Sequence, residues 1–290
     1  MRFYKVTGSG NDFIFLDGRE NNLTDWPPKR IREICARRSG VGADGLVILE
    51  PGSGGVELDG PRRVRFHYFN ADGNRSDMCG NASLCASRLA VRLGLAEPGG
   101  MILETDIGEV AARSIDGPGE RAEIEMPDVD KPLEPNISRI EGERWMRLFV
   151  AGVPHLIVRV DDVDAPTADP ADRGRYLRSI DVLQPSGANV NFIAPLADGS
   201  WRYRTFERGV EAETLACGTG AVAVTAAIRM MEPRECASAA SDAQQTVTLQ
   251  TTSGCLVQVT GTSVSDGSFR RPRLEGEGRL VFVGDLGPGI

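Results

Sequence analysis

Twice in this chain a cysteine followed by a glycine opens an apolar run of helical length. Met78 to Leu93 reads MCGNASLCASRLAVRL, and Glu213 to Ala226 reads ETLACGTGAVAVTA. After Cys79 come Gly80 and Asn81, then Leu84, Leu89, Ala90, Val91 and Leu93. After Cys217 come Gly218, Thr219 and Gly220, then Ala221, Val222, Ala223, Val224, Ala226, Ala227 and Ile228. Each run reads as a buried helix, and the first follows a turn at Asn70-Ala71-Asp72-Gly73. A repeat about half the chain apart predicts two similar domains, each presenting one cysteine at a helix start.

The chemistry follows from the position. A helix beginning after the cysteine points its first free N–H groups back towards the sulfur. Those amides and the positive end of the helix dipole favour a thiolate and also bind a carboxylate. Two such thiols facing each other across a cleft have a specific use. One thiolate removes a proton from a carbon while the opposite thiol supplies one to the other face.

With 290 residues the chain is long enough for two ordinary domains, and 41% hydrophobic with 26% charged residues is the composition of a soluble globular protein. A net charge of -8 without a basic stripe argues against a nucleic-acid partner. No run reaches the length of a membrane span and the N-terminus lacks a signal peptide's apolar core, so no membrane partner and a cytoplasmic location are expected. The six cysteines (Cys35, Cys79, Cys85, Cys217, Cys236 and Cys255) form no CxxC pair, which disfavours a disulfide framework. With only His67 and His155 to help, no metal site is expected. Lys5, Lys29 and Lys131 sit in no context that suggests a Schiff base, so pyridoxal phosphate has little support and no cofactor is expected.

In chain order, 2–7 and 13–16 read as strands about a turn at Gly8 to Asp12, which leaves Asn11 either in a plain turn or on a ligand. Pro28 to Arg38 is a surface helix. Gly40-Val41-Gly42-Ala43-Asp44-Gly45 matches GxGxxG literally, but a helix precedes it and the strand 46–49 follows, so it reads as a structural turn. Residues 51–61 are a glycine-rich loop, 64–69 a strand in which His67 is a side chain rather than a base, and Cys85 a core residue. Strands follow at 101–104, 108–115 and 121–126, with a turn at Asp116 to Gly119. The domain change is placed near that turn, giving an N-terminal domain 1–116 and a C-terminal domain 117–278, the last strand (within 279–290) returning to the first. Pro127 to Pro135 is a connector. Strands at 145–151 and 156–160 flank a turn at Gly152 to His155, and a loop runs into a short polar helix near 173–180.

Asn189 and Asn191 alternate along the strand 188–193, where asparagine is disfavoured, so they either line a polar pocket or satisfy buried backbone. The strand 201–207 ends in Glu207 and Arg208, read alternatively as a surface ion pair. Residues 232–245 are a loop or short helix, 246–251 and 255–260 strands, and Arg270, Arg271 and Arg273 lie in a loop before the strand 280–283.

GSGNDF at 8–13, FNADG and MCGN at 69–73 and 78–81, NVNF at 189–192, ERG at 207–209 and ETLACGTG at 213–220 together resemble the diaminopimelate epimerases. The resemblance implies an α/β (α+β) fold. It has two domains, each a curved mixed sheet or barrel around a central helix, with the substrate between them. It implies a cofactor-independent epimerase of lysine and peptidoglycan precursor biosynthesis, usually a homodimer, acting on diaminopimelate. Cys79 and Cys217 match the catalytic base and acid. Gly80-Asn81 and Gly218-Thr219 match the helix starts that hold the reacting-end carboxylate. Asn11, Asn70, Asn189 and Arg208 match residues gripping the distal end. Glu207 matches a distal-ammonium contact and thiol activator, and His155 a histidine near the thiols.

Three departures bear on substrate. Where the family pattern reads CGNGARC, this chain has Ala82, Ser83 and Leu84 between Asn81 and Cys85. Where it reads GNPH, Val153 replaces an asparagine. Gly45 stands where some members carry glutamine. Two other readings therefore stand beside diaminopimelate inversion. One is the same chemistry on histidine, lysine or glutamate; the other is a non-catalytic amino-acid-binding protein.

Overall fold

The computed structural model describes residues 1–53, 60–76, 78–115, 117, 120–231 and 244–287. Cys236, the stretch 232–243, residues 54–59 of the glycine-rich loop and most of the turn expected at 116–119 lie outside the described residues. The chain divides into two compact units, one of Met1–Ile124 with Glu275–Ile290, the other of Glu125–Leu274.

The first unit opens with β1 (Arg2–Gly8) and β2 (Asn11–Asp17), an antiparallel hairpin. Its turn is only Ser9 and Gly10, both with positive φ (54° and 98°), the geometry a two-residue hairpin loop requires. Asn11 therefore already belongs to a strand, opposite Gly8. Next come α1 (Pro28–Cys35), β3 (Gly45–Pro51), β4 (Arg62–Asn70) and β5 (Arg75–Ser76), then α2 (Gly80–Arg92). β6 (Met101–Thr105), β7 (Gly108–Ile115) and β8 (Arg121–Glu125) complete the N-terminal part. β3 runs parallel to β2 and antiparallel to β4, and β6 runs parallel to β4. β8 is hydrogen-bonded to β7, and this hairpin carries the first unit through to Ile124, whereas the expected change lay near 116.

The glycine motif at 40–45 closes α1. The Gly40 N–H bonds to Ala36 O, Gly42 N–H to Ile34 O and Ala43 N–H to Cys35 O, after which β3 begins. A strand follows and a helix precedes, so no dinucleotide cradle forms.

The second unit begins with β9 (Glu143–Ala151) and β10 (Val153–Val160), then α3 (Arg175–Ser179), β11 (Asn189–Pro195), β12 (Trp201–Glu207) and β13 (Ala212–Thr214). α4 (Gly218–Met231) follows, then β14 (Gln245–Gln250), β15 (Leu256–Ser263) and β16 (Phe269–Glu277). The final strand, β17 (Arg279–Asp285), lies in the first unit, antiparallel to β1. β10 pairs antiparallel with β9 and parallel with β11, which pairs antiparallel with β12. The connector is stitched at two points, Val129 bridging to Phe269 and Leu133 to Leu148.

Two local expectations are corrected. The turn expected over Gly152 to His155 is Gly152 alone (φ 73°); Val153 opposes Ala151 and the strand has already begun. The loop expected around Arg270, Arg271 and Arg273 is β16. Phe269, Pro272 and Leu274 are buried along it, while Arg270 reaches outward to Asp130 (2.9 Å) and Asp128 (3.6 Å). Arg271, at φ 50°, breaks the alternation and hides the strand's period of two.

Both cysteine helices are central to their units. α2 packs against β1, β3, β4, β6, β7 and β17, and its residues 81–87 are all buried. α4 packs against β9, β10, β11, β12 and β15, and its residues 220–228 are all buried. A helix walled on several sides has little freedom to shift along its axis, so its first residue is held in place.

The approach of β1 to α2 depends on Gly8. A β-carbon there would lie 2.9 Å from Cys85 Sγ, 3.0 Å from Asn81 O and 3.1 Å from Glu277 O. Two of these neighbours are backbone and cannot swing aside. Gly8→Ala is expected to destabilise the protein by about 1–3 kcal/mol in urea unfolding; an unchanged midpoint would mean that α2 is free to retreat.

Candidate active site

In the first unit Cys79 is the N-cap of α2, with extended backbone (φ −134°, ψ 121°) and its carbonyl accepting the Ser83 N–H at 2.8 Å. The sulfur is half-buried at the end where the helix's unpaired amides emerge. Tyr68, from β4, hydrogen-bonds the Cys79 side chain; burial, then the sulfur's charge, pushes its phenol well above its ordinary value. The Tyr68 ring occupies the space beside Gly45, where a β-carbon would lie 2.7 Å from Tyr68 Cε2 and 2.5 Å from Phe69 O.

Asn81 and Asn11 are brought together. Asn81 Nδ2 donates to Asn11 Oδ1 at 2.7 Å, and Asn11 Nδ2 donates to Asp44 Oδ2 at 2.9 Å. Behind them Arg37 binds both Asp12 and Asp44 at 2.6 Å, and Lys5 reaches Asp12 and the Gly42 carbonyl. Burial raises the Asp12 carboxyl, but Arg37 and Lys5 more than offset it and hold it below the usual range. Asn70 is exposed at the end of β4, opposite Gly45. Leu84, at an arginine position of the family pattern, is fully buried core, so that departure substitutes packing for charge inside α2.

In the second unit Cys217 leads into α4, its carbonyl accepting the Ala221 N–H at 2.9 Å and the Tyr203 hydroxyl at 3.1 Å. Two kinds of partner meet its sulfur. The Thr219 hydroxyl lies 3.6 Å away and the Gly220 N–H also reaches it, while the Glu207 carboxyl bonds it from β12. Burial, then the nearby Glu207 charge, raises the thiol well above its ordinary value. Burial likewise raises the Glu207 carboxyl, against the opposing bond from the Thr214 hydroxyl. Thiol and carboxyl share a hydrogen bond, so their titrations are coupled.

Gly220 makes this crowding possible. A β-carbon there would lie 2.7 Å from Asn191 Oδ1 and 3.2 Å from Cys217 Sγ. His155 is fully buried on β10; its Nε2 lies 3.1 Å from Thr219 Oγ1 and its Nδ1 3.1 Å from Asn191 Nδ2. It meets the sulfur through Thr219 rather than directly. Burial, then the Arg208 charge, pushes its imidazole down to about 3, so it is neutral at working pH. Asn189 accepts the Arg208 backbone N–H at 2.8 Å, and the Arg208 guanidinium bonds Ser186 O at 2.8 Å, so Glu207 and Arg208 do not form an ion pair. Of the alternating asparagines, Asn189 thus satisfies backbone and Asn191 joins a polar chain. Val153 is half-buried at the start of β10.

Sequence reasoning missed Tyr68, Asp44, Thr205 and Thr214. The first lies in phase with buried Phe66 and reads as core. The others are ordinary strand or loop residues until folding sets Asp44 and Thr205 beside an asparagine and Thr214 beside Glu207. The other cysteines are core residues where buried: Cys35 is pushed up to about 12, chiefly by burial, and Cys85 is raised by the same cause.

The fold is one shared with solved structures that include racemases and epimerases. A phenazine biosynthesis protein of the PhzF family from Bacillus anthracis matches with a TM-score of 0.73 at 14% identity, covering 99% of this chain and 98% of that one. A hydroxyproline epimerase from Agrobacterium vitis matches with a TM-score of 0.60 at 17% identity, covering 98% of this chain and 91% of that one. At such identities the likeness is one of fold. The sequence decides the family. The diaminopimelate epimerase family profile matches residues 3–129 and 148–261. A diaminopimelate epimerase from Gemmatimonas aurantiaca is 44% identical over 294 residues, 99% of each chain. One from Aquifex aeolicus is 37% identical over 233 residues, 77% of this chain and 79% of the relative. This chain belongs to the diaminopimelate epimerase family.

The buried neutral His155 sets a pH dependence of stability. Its folded value lies below its unfolded one, so the unfolded chain binds the extra proton and stability falls as pH drops below about 6.5. In urea titrations between pH 6.5 and 4, His155→Gln is expected to remove up to about 1.4 kcal/mol per pH unit from the acid slope. An identical slope in the variant would show that His155 is protonated in the fold.

Proposed function

We propose that this chain is a diaminopimelate epimerase, inverting the α-carbon between the LL and meso forms with Cys79 and Cys217 as the two bases and no cofactor. The observation that carries the reading is the seat of Cys217. A carboxylate stands ready to receive its proton, and a hydroxyl and an amide N–H are placed to stabilise the thiolate left behind. Family membership supplies the substrate.

A free thiol titrates near 8.5, far below an amino-acid α-hydrogen, so basicity alone does not drive the step. The gain comes from placement and from charge. The amides of Gly80 and Asn81, and those of Gly218 and Thr219, are the ones the family pattern gives to the substrate's reacting-end carboxylate. Both starts stabilise the negative charge that develops as the proton leaves. One thiolate takes the α-proton and the other thiol returns one to the opposite face, so two like groups are required for inversion. Glu207 exchanges its proton with Cys217 as the direction of turnover demands. His155 orients Thr219, and Asn11, Asn70, Asn189 and Arg208 hold the distal end. A cytoplasmic, homodimeric enzyme in lysine and peptidoglycan precursor synthesis completes the reading.

Val153 favours one other reading, the same inversion on a different amino acid, because an apolar side chain replaces a distal-end amide. Incubating the protein in heavy water with a panel of amino acids, and reading α-deuteration by mass spectrometry, separates the two. Exchange is expected with diaminopimelate, and its loss in Cys79→Ser and Cys217→Ser. Exchange only with histidine, lysine or glutamate would move the substrate; exchange with none would leave a binding protein.

The pH profile tests the coupled pair. Below the raised Glu207 value the pair holds two protons and Cys217 has nowhere to send its own, so kcat/KM is expected to fall on the acid side above the ordinary carboxylate range. Glu207→Gln is expected to lower kcat by about a hundredfold or more and to abolish that limb. An unmoved acid limb in the variant would remove Glu207 from the proton path.

A further inference from the structure

Resting on that reading, we propose that Asn191 is a positioning residue for Cys217. It gives an amide hydrogen to His155 Nδ1, holds the imidazole as its Nε2–H tautomer, and thereby turns the Thr219 hydroxyl hydrogen onto the sulfur.

Five side chains form one line in the second unit. Thr205 Oγ1 donates to Asn191 Oδ1 at 2.8 Å, Asn191 Nδ2 meets His155 Nδ1 at 3.1 Å, His155 Nε2 meets Thr219 Oγ1 at 3.1 Å, and Thr219 Oγ1 meets Cys217 Sγ at 3.6 Å. Thr205, Asn191 and His155 are at most 1% exposed, so bulk water does not reach the links that join these three. The direction of the line is set at its far end. Among the described residues Thr205 has Asn191 Oδ1 as its sole hydroxyl partner. Rotating the amide would strand a buried O–H, at the cost of an unmade hydrogen bond.

With the oxygen facing Thr205, the NH₂ faces His155, and Nδ1 is left as an acceptor. The one ring proton is then on Nε2, where it is donated to Thr219 Oγ1. That oxygen, already accepting, aims its own hydrogen at Sγ. Reversing the first amide reverses every later bond and points the Thr219 hydrogen at His155 instead. The orientation of one buried amide thus decides whether the sulfur meets a donor. The groups facing Cys217 Sγ are then Thr219 and the Gly220 N–H as donors, and Glu207 from β12 as the proton acceptor.

The chain contains two histidines, so His67→Gln leaves His155 as the lone imidazole for ¹⁵N NMR of histidine-labelled protein. The expected spectrum is that of the Nε2–H tautomer from pH 5 to pH 9, inverting to Nδ1–H in Asn191→Asp, whose carboxylate accepts only. Iodoacetamide labelling of Cys217, followed peptide by peptide, is expected to slow about tenfold at pH 8 in Asn191→Leu and Thr205→Val, because less thiolate is present. A purely structural role would lower thermal stability and leave the labelling pH profile in place. An Nδ1–H tautomer in the Asn191 protein overturns the proposal, as does an unchanged Cys217 profile in both folded variants. If neither variant folds, the tautomer of the Asn191 protein decides alone. None of these readouts needs substrate, so absent α-deuteration of diaminopimelate alongside an Nε2–H spectrum would remove the function reading and keep the proposal.

Discussion

The fold depends on burying a helix nearly all the way round. α2 and α4 each give up almost their whole length to the surrounding strands, which leaves one place where helix backbone is unpaired: the first turn. Four amides there lack intrahelical partners whatever the sequence. A cysteine at the preceding position is therefore fixed in space by the whole sheet and polarised by the helix at the same time. Evolution of the site needs only one residue at each helix start, because the packing of the unit has already aimed it.

The two units use this seat differently. In the first, Cys79 has a phenol beside it, and the nearby asparagines hang from an ionic lattice of Lys5, Arg37, Asp12 and Asp44. In the second, Cys217 is set between an acceptor and donors, with a neutral imidazole one residue removed. Internal repetition of a fold thus does not impose internal repetition of chemistry. A reaction that treats the two faces of a carbon in turn can draw on the asymmetry.

Much of this was legible in the sequence, because the strongest signals were local. The doubled Cys-Gly helix start marked both central helices, and the order of a helix before and a strand after rejected the GxGxxG reading correctly. What failed was also local. Three arginines and a left-handed residue at 271 masked the alternation of β16, and a proline in Val153-Pro154 suggested a turn where only Gly152 bends. Site residues supplied by distant strands had no signature at all. Asn191 stood out as an asparagine in a strand, but its partners Thr205 and His155 lie on neighbouring strands, and only their register reveals the line. The domain change likewise depended on which hairpin stays whole, a question of pairing that composition does not address.

The pairing of Gly45 with Tyr68 has an evolutionary corollary. A β-carbon at the first would meet the aromatic ring of the second and, closer still, the Phe69 carbonyl oxygen, so a larger residue at 45 needs both a smaller side chain at 68 and a shift of the β4 backbone. Enlarging residue 45 by itself is sterically closed in this chain, which ties the two positions together as a unit of inheritance.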